Sequence, residues 1–388
     1  MDIYDDLGVR KIINGYATLT SLGGSLMPPE VLDAMTEAAR HFVNLDELQD
    51  KAGRRIADWT HNEAAYISCG AAAGLALSTA ACITGLDPEK RARLPFTEGM
   101  KNEVIVHLCG GEEYNFTIRQ AGGRVVPVGT PDHATTADLE AAIKPQTAAL
   151  LVYYKEGGMQ GQVPLETQIE IARRHAVPMI VDAAAQLPPV ENLWRFTQMG
   201  ADLVVFSGGK GLCGPQSSGL ILGKRELIEA CAFNASPRTY IGRPMKVGKE
   251  EIAGLLAAVR RYLDLDHDQL IRTYEEQVGY ILAAVAGEAH IRAVRSFPSE
   301  AGQPMPRAEL FLDEPRLGIS RDQILQQLYA GTPAISLAPA GKDGLYINPQ
   351  TLRPGEEKIV VDRIKQILNL RAGPAVFPHA GFPDPRRN

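Results

Sequence analysis

The segment VVFSGGKGLCGPQSSG, Val204–Gly219, places a lysine where a solvated charge is unusual. An apolar run ends in Ser207-Gly208-Gly209-Lys210, and the glycines around Lys210 let the backbone approach a ligand closely. A lysine held out of water there is the nucleophile needed to form an imine with a carbonyl group. A surface-loop lysine fits the same pattern. A Walker-type phosphate loop fits poorly, because Lys210 is followed by Gly211 where Ser or Thr is required. A second segment, PMIVDAAAQLPP, is an apolar run leading directly into Asp182. An acid at the end of a core strand costs desolvation unless it meets a cation. A protonated ring nitrogen would supply one, and the small Ala184 just beyond would let a flat ring lie close. Taken alone, Asp182 also suits a helix cap or a loop.

The third segment, AAYISCGAAAGLALSTAA, reads as a strand, then Ser68-Cys69-Gly70-Ala71-Ala72-Ala73-Gly74, then an alanine-rich helix. Small residues there would let the first helical amides meet an anion, favoured by the helix dipole. Tight helix–strand packing is the other reading. A dinucleotide fingerprint is not matched, because the glycine spacing is wrong.

These segments need a scaffold that brings them together. Short apolar runs suggest strands at Ala64–Ser68, Val104–Leu108, Val125–Val128, Leu150–Tyr154, Met179–Val181, Leu203–Phe206 and Gly219–Leu222. Helix-length stretches such as Leu165–His175 lie between most of them. That alternation predicts an α/β architecture whose mostly parallel sheet is covered on both faces, with sites at the carboxyl ends of the strands. One helix and one strand separate Asp182 from Lys210, so both should reach the same sheet edge. Before this region, Pro28, Pro29 and Glu30 start a helix with Val31, Ala34, Met35, Ala38 and Phe42 on one face. After Leu222 the rhythm changes. Helices at Lys249–Leu265 and Gln269–Ala286 precede strands at Ala308–Leu312 and Ala334–Leu337, with helices at Arg321–Tyr329 and Gly355–Leu370. The expected division is an N-terminal helical segment (1–50), a large domain (51–249) and a small α+β domain (250–388) ending in an arm from Gly373.

The 388 residues are 45% hydrophobic and 22% charged, the balance of a folded globular chain. A net charge of -6 without a basic stripe argues against nucleic acid and for small-molecule partners. The five scattered cysteines, Cys69, Cys82, Cys109, Cys213 and Cys231, match neither a zinc site nor a disulfide framework. No metal is expected. The opening residues lack a signal-peptide pattern, and Gly70–Leu86 is too short to span a bilayer comfortably. A cytoplasmic protein with no membrane partner is therefore expected.

Together the three segments supply an imine lysine, a ring-nitrogen partner and a phosphate seat on successive strand ends. On these, and on INGYATLTSLGGSLMPPEVLDAM and GRPMKVGKEE, the chain resembles fold-type I enzymes dependent on pyridoxal 5'-phosphate. More closely, it is similar to the group of bacterial selenocysteine synthase and D-glucosaminate-6-phosphate ammonia-lyase. The resemblance implies a seven-stranded, mostly parallel sheet of the fold-type I transferase kind, with pyridoxal phosphate joined to Lys210 and its ring nitrogen facing Asp182. It implies phosphate contacts from Gly70, Ala71 and Ser207 and cofactor contacts from Ser68 and Cys69, with Ala184 beneath the ring and Gln186 at its phenolic oxygen. His107, Tyr114 and Phe116 are the candidates for the ring that stacks on the cofactor. Arg353 in INPQTLRPGEE stands where related enzymes bind the substrate carboxylate. Arg243, Lys246 and Lys249 are candidate phosphate contacts, and Arg54 and Arg55 further candidates for an anionic substrate. A homo-oligomer is implied as well. Because the chain is acidic and starts close to its catalytic domain, a transfer-RNA substrate is disfavoured.

The expected activity is a lyase that removes the α-proton of an amino acid or amino sugar acid and expels a β-substituent, giving a 2-oxo acid and ammonia. Racemisation or aldol cleavage would use the same residues, and fold does not separate these outcomes. A non-catalytic pyridoxal-phosphate-binding protein is the alternative from another class.

Overall fold

A computed structural model describes residues 2–111, 113–158 and 160–369. Its chain divides into two units. One holds Ser25–Leu265 with Ala301–Gln303, and the other holds the residues up to Gly24, Asp266–Glu300 and the described chain from Pro304.

An N-terminal strand, β1 (Ile12–Gly15), belongs to the second unit. The first unit is built on β2 (Ala64–Ser68), β3 (Glu103–His107), β4 (Arg124–Val128), β5 (Thr147–Tyr153), β6 (Met179–Asp182), β7 (Leu203–Ser207) and β8 (Gly219–Gly223). These form one sheet in the order β2-β8-β7-β6-β5-β3-β4. All run parallel except β8, which is antiparallel to both its neighbours. Alternation along the strands sends Ile67, Ile105, Leu150, Val181 and Val204 to one face and Tyr66, Val104, Leu151, Ile180 and Val205 to the other. Both sets are buried, so the strands read as unbroken apolar runs. Each such side chain contributes roughly 1.5–3 kcal/mol on burial.

The helix Ala71–Thr84 covers the second face and is apolar nearly all round. Gly74 is required on it, because a Cβ there would lie 2.8 Å from Val205 Cγ1. The first face is covered by Leu165–Arg174 and Lys249–Asp264, the latter burying Ile252, Leu255, Val259 and Tyr262. Helices Pro29–Ala39 and Leu45–Trp59 pack on Lys249–Asp264.

The second unit contains β9 (Ile291–Ser296), β10 (Arg307–Leu312), β11 (Ala334–Ala340) and β12 (Gly344–Ile347) in the sheet order β1-β11-β12-β10-β9. Only β1–β11 is a parallel pair there. Helices His267–Val285, Arg321–Ala330 and Glu356–Asn369 bury Val278, Ile281, Leu328, Val360 and Ile364 against that sheet.

All seven expected strands of the large sheet are present, with ends shifted by a few residues. The expected division of the chain is corrected. Lys249–Asp264 stays with the large unit, because its apolar face completes that core. The first 24 residues join the small unit because β1 pairs with β11. Phe42 is also corrected: the helix ends at Ala39, and the Phe42 ring is fully exposed. The arm expected from Gly373 lies outside the described residues. Among the described residues, no helix is long and apolar enough to cross a membrane.

Candidate active site

The carboxyl edge of the large sheet collects the turns after β2, β6 and β7. Register fixes their spacing: Ser68 and Ser207, the last residues of β2 and β7, both pair with Gly219, the first residue of β8. Asp182, the last residue of β6, pairs with Tyr153 on β5 and Val205 on β7.

After β2 the chain turns through Gly70 at φ 114° and ψ 161°, a conformation open to glycine and strained for other residues. Ser68 Oγ donates to the Gly70 carbonyl at 2.9 Å and holds the turn. No side chain caps the helix that follows, so the amides of Ala71, Ala72 and Ala73 open its N-terminus to an anion. These alanines are half-buried, and a Cβ placed on Gly70 would meet nothing within 4 Å. Burial pushes the Cys69 thiol up, so it brings no charge to oppose the anion.

Asp182 is only 9% exposed. Burial raises its carboxyl above the ordinary range; the Ala184 amide, donating to Oδ1 at 2.9 Å, and the nearby Lys210 charge oppose that rise. Beyond it, Ala184 is half-buried and its carbonyl accepts from Ser207 N at 3.3 Å, joining the β6 turn to the end of β7. Half-buried Lys210 sits in a loop closed by Gly208 N to Ser218 O and Gly214 N to Gly208 O, both 2.8 Å. Glycine is needed here for packing: a Cβ on Gly209 would lie 2.6 Å from Gln216 Cα, and one on Gly211 would collide with the Leu187 carbonyl.

His107 ends β3, and its Nε2 is buried with no hydrogen-bond partner among the described residues. Desolvation pulls its pKa down, which leaves a flat, neutral ring with an unused nitrogen. Tyr114 lies with its ring centroid 6.4 Å from that of Tyr153 and is half exposed, as is Phe116. Burial and then the Asp182 charge push both tyrosine hydroxyls up, which puts Tyr114 and Tyr153 within the field of that acid. Tyr153 also donates to Asn115 Oδ1 at 3.0 Å. It was missed in the sequence, although an aromatic residue closing the strand beside Asp182 was a readable signal.

The other candidates are paired or exposed. Gln186 is anchored by its amide: its Oε1 accepts from Glu156 N at 3.0 Å and its Nε2 donates to Ala301 O at 2.9 Å. Arg54 pairs with Asp50 at 3.0 Å on the exposed side of its helix, and Arg55 is exposed beside it. Arg243 and Lys246 are exposed, and Lys249 pairs with Glu250. In the small unit, Arg353 is exposed with its Nε 4.0 Å from Glu356 Oε1.

An open helix N-terminus, a buried acid that a cation would stabilise, a lysine and a neutral imidazole fit a flat cofactor with phosphate at one end and a protonated ring nitrogen at the other. Fold and site together define a fold-type I enzyme dependent on pyridoxal phosphate. Residues 12–275 match the family model described as L-seryl-tRNA selenium transferase, and the chain belongs to that family. It is 33% identical to the D-glucosaminate-6-phosphate ammonia lyase of Salmonella typhimurium, covering 94% of this chain and 98% of the relative. It is 34% identical to a Streptomyces 5'-C-glycyluridine monooxygenase-decarboxylase, covering 94% and 92%. A solved structure of a D-glucosaminate-6-phosphate ammonia-lyase superposes with a TM-score of 0.84 over 95% of this chain and 98% of that one, at 33% identity.

Proposed function

We propose that this protein is a pyridoxal-phosphate-dependent ammonia-lyase that converts an amino acid or amino sugar acid into a 2-oxo acid and ammonia. The observation that carries the reading is the gathering of the open helix at Ala71, the buried Asp182 and Lys210 on one sheet edge. The near full-length likeness to an ammonia-lyase supports the same reaction class.

When bound, pyridoxal phosphate supplies an electron-withdrawing ring that stabilises the carbanion left at the substrate Cα. The amides of Ala71–Ala73, with Ser207, would hold the phosphate. Asp182 would pair with a protonated ring nitrogen, and the neutral His107 ring would shield the site from water. Lys210 is the residue that would hold the cofactor's aldehyde, and its amine, once free, would serve as the base that takes the substrate Cα proton. A β-hydroxyl would leave as water with the proton that Lys210 had taken, and a second water would release the nitrogen as ammonia. Arg353 is the proposed contact of the substrate carboxylate. The scattered cysteines and acidic charge support a cytoplasmic enzyme of small molecules, and the family resemblance supports a homo-oligomer.

The test is incubation of the purified protein with amino acids and amino sugar acids, with and without phosphate, following 2-oxo acid, ammonia, optical rotation and dissolved oxygen. Equimolar 2-oxo acid and ammonia without an amino acceptor is the expected result. Rotation lost without 2-oxo acid would make the protein a racemase. Oxygen uptake with carbon dioxide release would favour chemistry like that named for the Streptomyces relative. A protein that stays colourless after pyridoxal phosphate is added would overturn the cofactor assignment.

A further inference from the structure

β5 delivers a second cation to the same sheet edge. Tyr153 is in register with Asp182, Tyr154 N donates to the Asp182 carbonyl at 2.9 Å, and Lys155 follows directly. Lys155 is half-buried, and a Cβ on Gly302 would lie 2.9 Å from its Cγ, so the lysine stem is packed. Its adjacent carboxylate is taken elsewhere: Glu156 accepts from Arg195 Nη2 at 2.7 Å and Nη1 at 3.3 Å, and from the Tyr154 hydroxyl at 3.3 Å. Among the described residues, no carboxylate stands within ion-pairing distance of Lys155. With its stem packed and no carboxylate at its head, Lys155 offers a positive charge to an anion.

The loop that starts at Lys155 borders the site on two sides. Glu156 N donates to Gln186, four residues past Asp182. At its far end, Gln162 Nε2 lies 2.5 Å from where a Gly110 Cβ would stand, three residues past His107. Between them, Gly157 and Gly158 have φ of 81° and 78°, and a Cβ on either would meet nothing within 4 Å. The surroundings of Lys155 are therefore open on the loop side and close to the reacting edge.

We propose that Lys155 seats an anionic group, phosphate ester or second carboxylate, at the end of the substrate remote from the reacting carbon. This rests on the lyase reading and names the class of substrate it takes. Lys155 would then set specificity and leave the chemical step to Lys210.

The test compares wild type, Lys155→Gln and Lys155→Arg as cofactor-loaded proteins, on an amino sugar acid with a terminal phosphate, its unphosphorylated counterpart and an amino dicarboxylic acid. Loss of a charge-assisted contact predicts that Lys155→Gln raises KM for the preferred anionic substrate about 10- to 100-fold. Its kcat and its KM for the unphosphorylated compound should not change, and Lys155→Arg should recover most of the loss. Whichever anion shows the effect, phosphate or carboxylate, identifies the group that is seated. Inorganic phosphate, titrated calorimetrically into the holoenzyme whose cofactor seat is filled, should bind the Gln variant more weakly by a similar factor. An equal loss on all substrates, or phosphate binding unaltered by the substitution, would overturn the proposal. A protein that holds its cofactor colour but makes no 2-oxo acid would sink the lyase reading alone, since the phosphate titration still decides Lys155.

Discussion

The replacement Asp182→Asn separates what Asp182 costs the cofactor-free protein from what it gives the loaded enzyme. The carboxylate is 9% exposed and accepts the Ala184 amide at 2.9 Å. Its desolvation exceeds the help from that amide and from Lys210, so burial raises its pKa. Asparagine preserves the shape and can still accept the Ala184 amide, without carrying a charge. A buried charged group left partly unsatisfied costs at least about 1–3 kcal/mol. In a unit of this size that corresponds to roughly 2–10 °C in melting temperature, so cofactor-free Asp182→Asn should melt higher than wild type at neutral pH. The sign with pH follows from the raised pKa. Below the ordinary carboxylate range Asp182 is protonated whether folded or unfolded, and the two proteins should differ little. As pH rises through the raised pKa, wild type loses stability relative to the variant. Loading with pyridoxal phosphate reverses the order, because a protonated ring nitrogen pairs with Asp182 and not with asparagine. Activity of the loaded variant should fall by at least ~10²-fold. The assay is thermal unfolding of both proteins, with and without cofactor, over a pH series, together with 2-oxo acid production. A cofactor-free variant that melts lower than wild type at neutral pH would refute the reasoning, as would a loaded variant with wild-type activity.

Gly219→Ala should loosen the phosphate seat, because the new Cβ would lie 2.5 Å from the Gly70 carbonyl carbon and 2.7 Å from Ser68 Oγ. Overpacking of this kind costs about 1–3 kcal/mol, so titration with pyridoxal phosphate should show weaker binding; unchanged affinity would show that the turn after β2 does not hold the cofactor. Arg54→Ala should leave KM for every substrate unaltered, because Arg54 belongs to an exposed pair with Asp50. A rise in KM confined to anionic substrates would return Arg54 to the site.

Much of the large sheet was readable because buried parallel strands leave continuous apolar runs, and the ends of those runs at Ser68, Asp182 and Ser207 locate the site edge. β1, β9 and β12 escaped notice for a physical reason. β1 and β12 are only four residues long, and β9, as IRAVRS, lies at a sheet edge with no fully buried residue, so its sequence carries two arginines. The boundary at Leu265 was equally hidden. The Lys249–Asp264 helix has one apolar face, and periodicity does not say which core that face will enter. At the site, residues defined by strand ends were legible, whereas those defined by side-chain pairing were not. The contacts of Gln186 with Glu156 and Ala301, and of Glu156 with Arg195, join segments far apart in the chain and leave no mark on the local sequence. Such pairing is settled only when distant segments meet.

The tripeptide Ala301–Gln303 constrains any attempt to dissect the chain. It is contributed from far downstream, yet it supplies the carbonyl that receives Gln186 and the amide, from Gln303, that reaches the Leu187 carbonyl at 2.6 Å. A fragment cut at residue 265 would carry every strand of the large sheet and still leave those two groups bare, within five positions of the acid at 182. Trimmed pieces of this protein should therefore be judged by cofactor uptake and not by solubility, and a split version would need those three residues returned as part of the second piece.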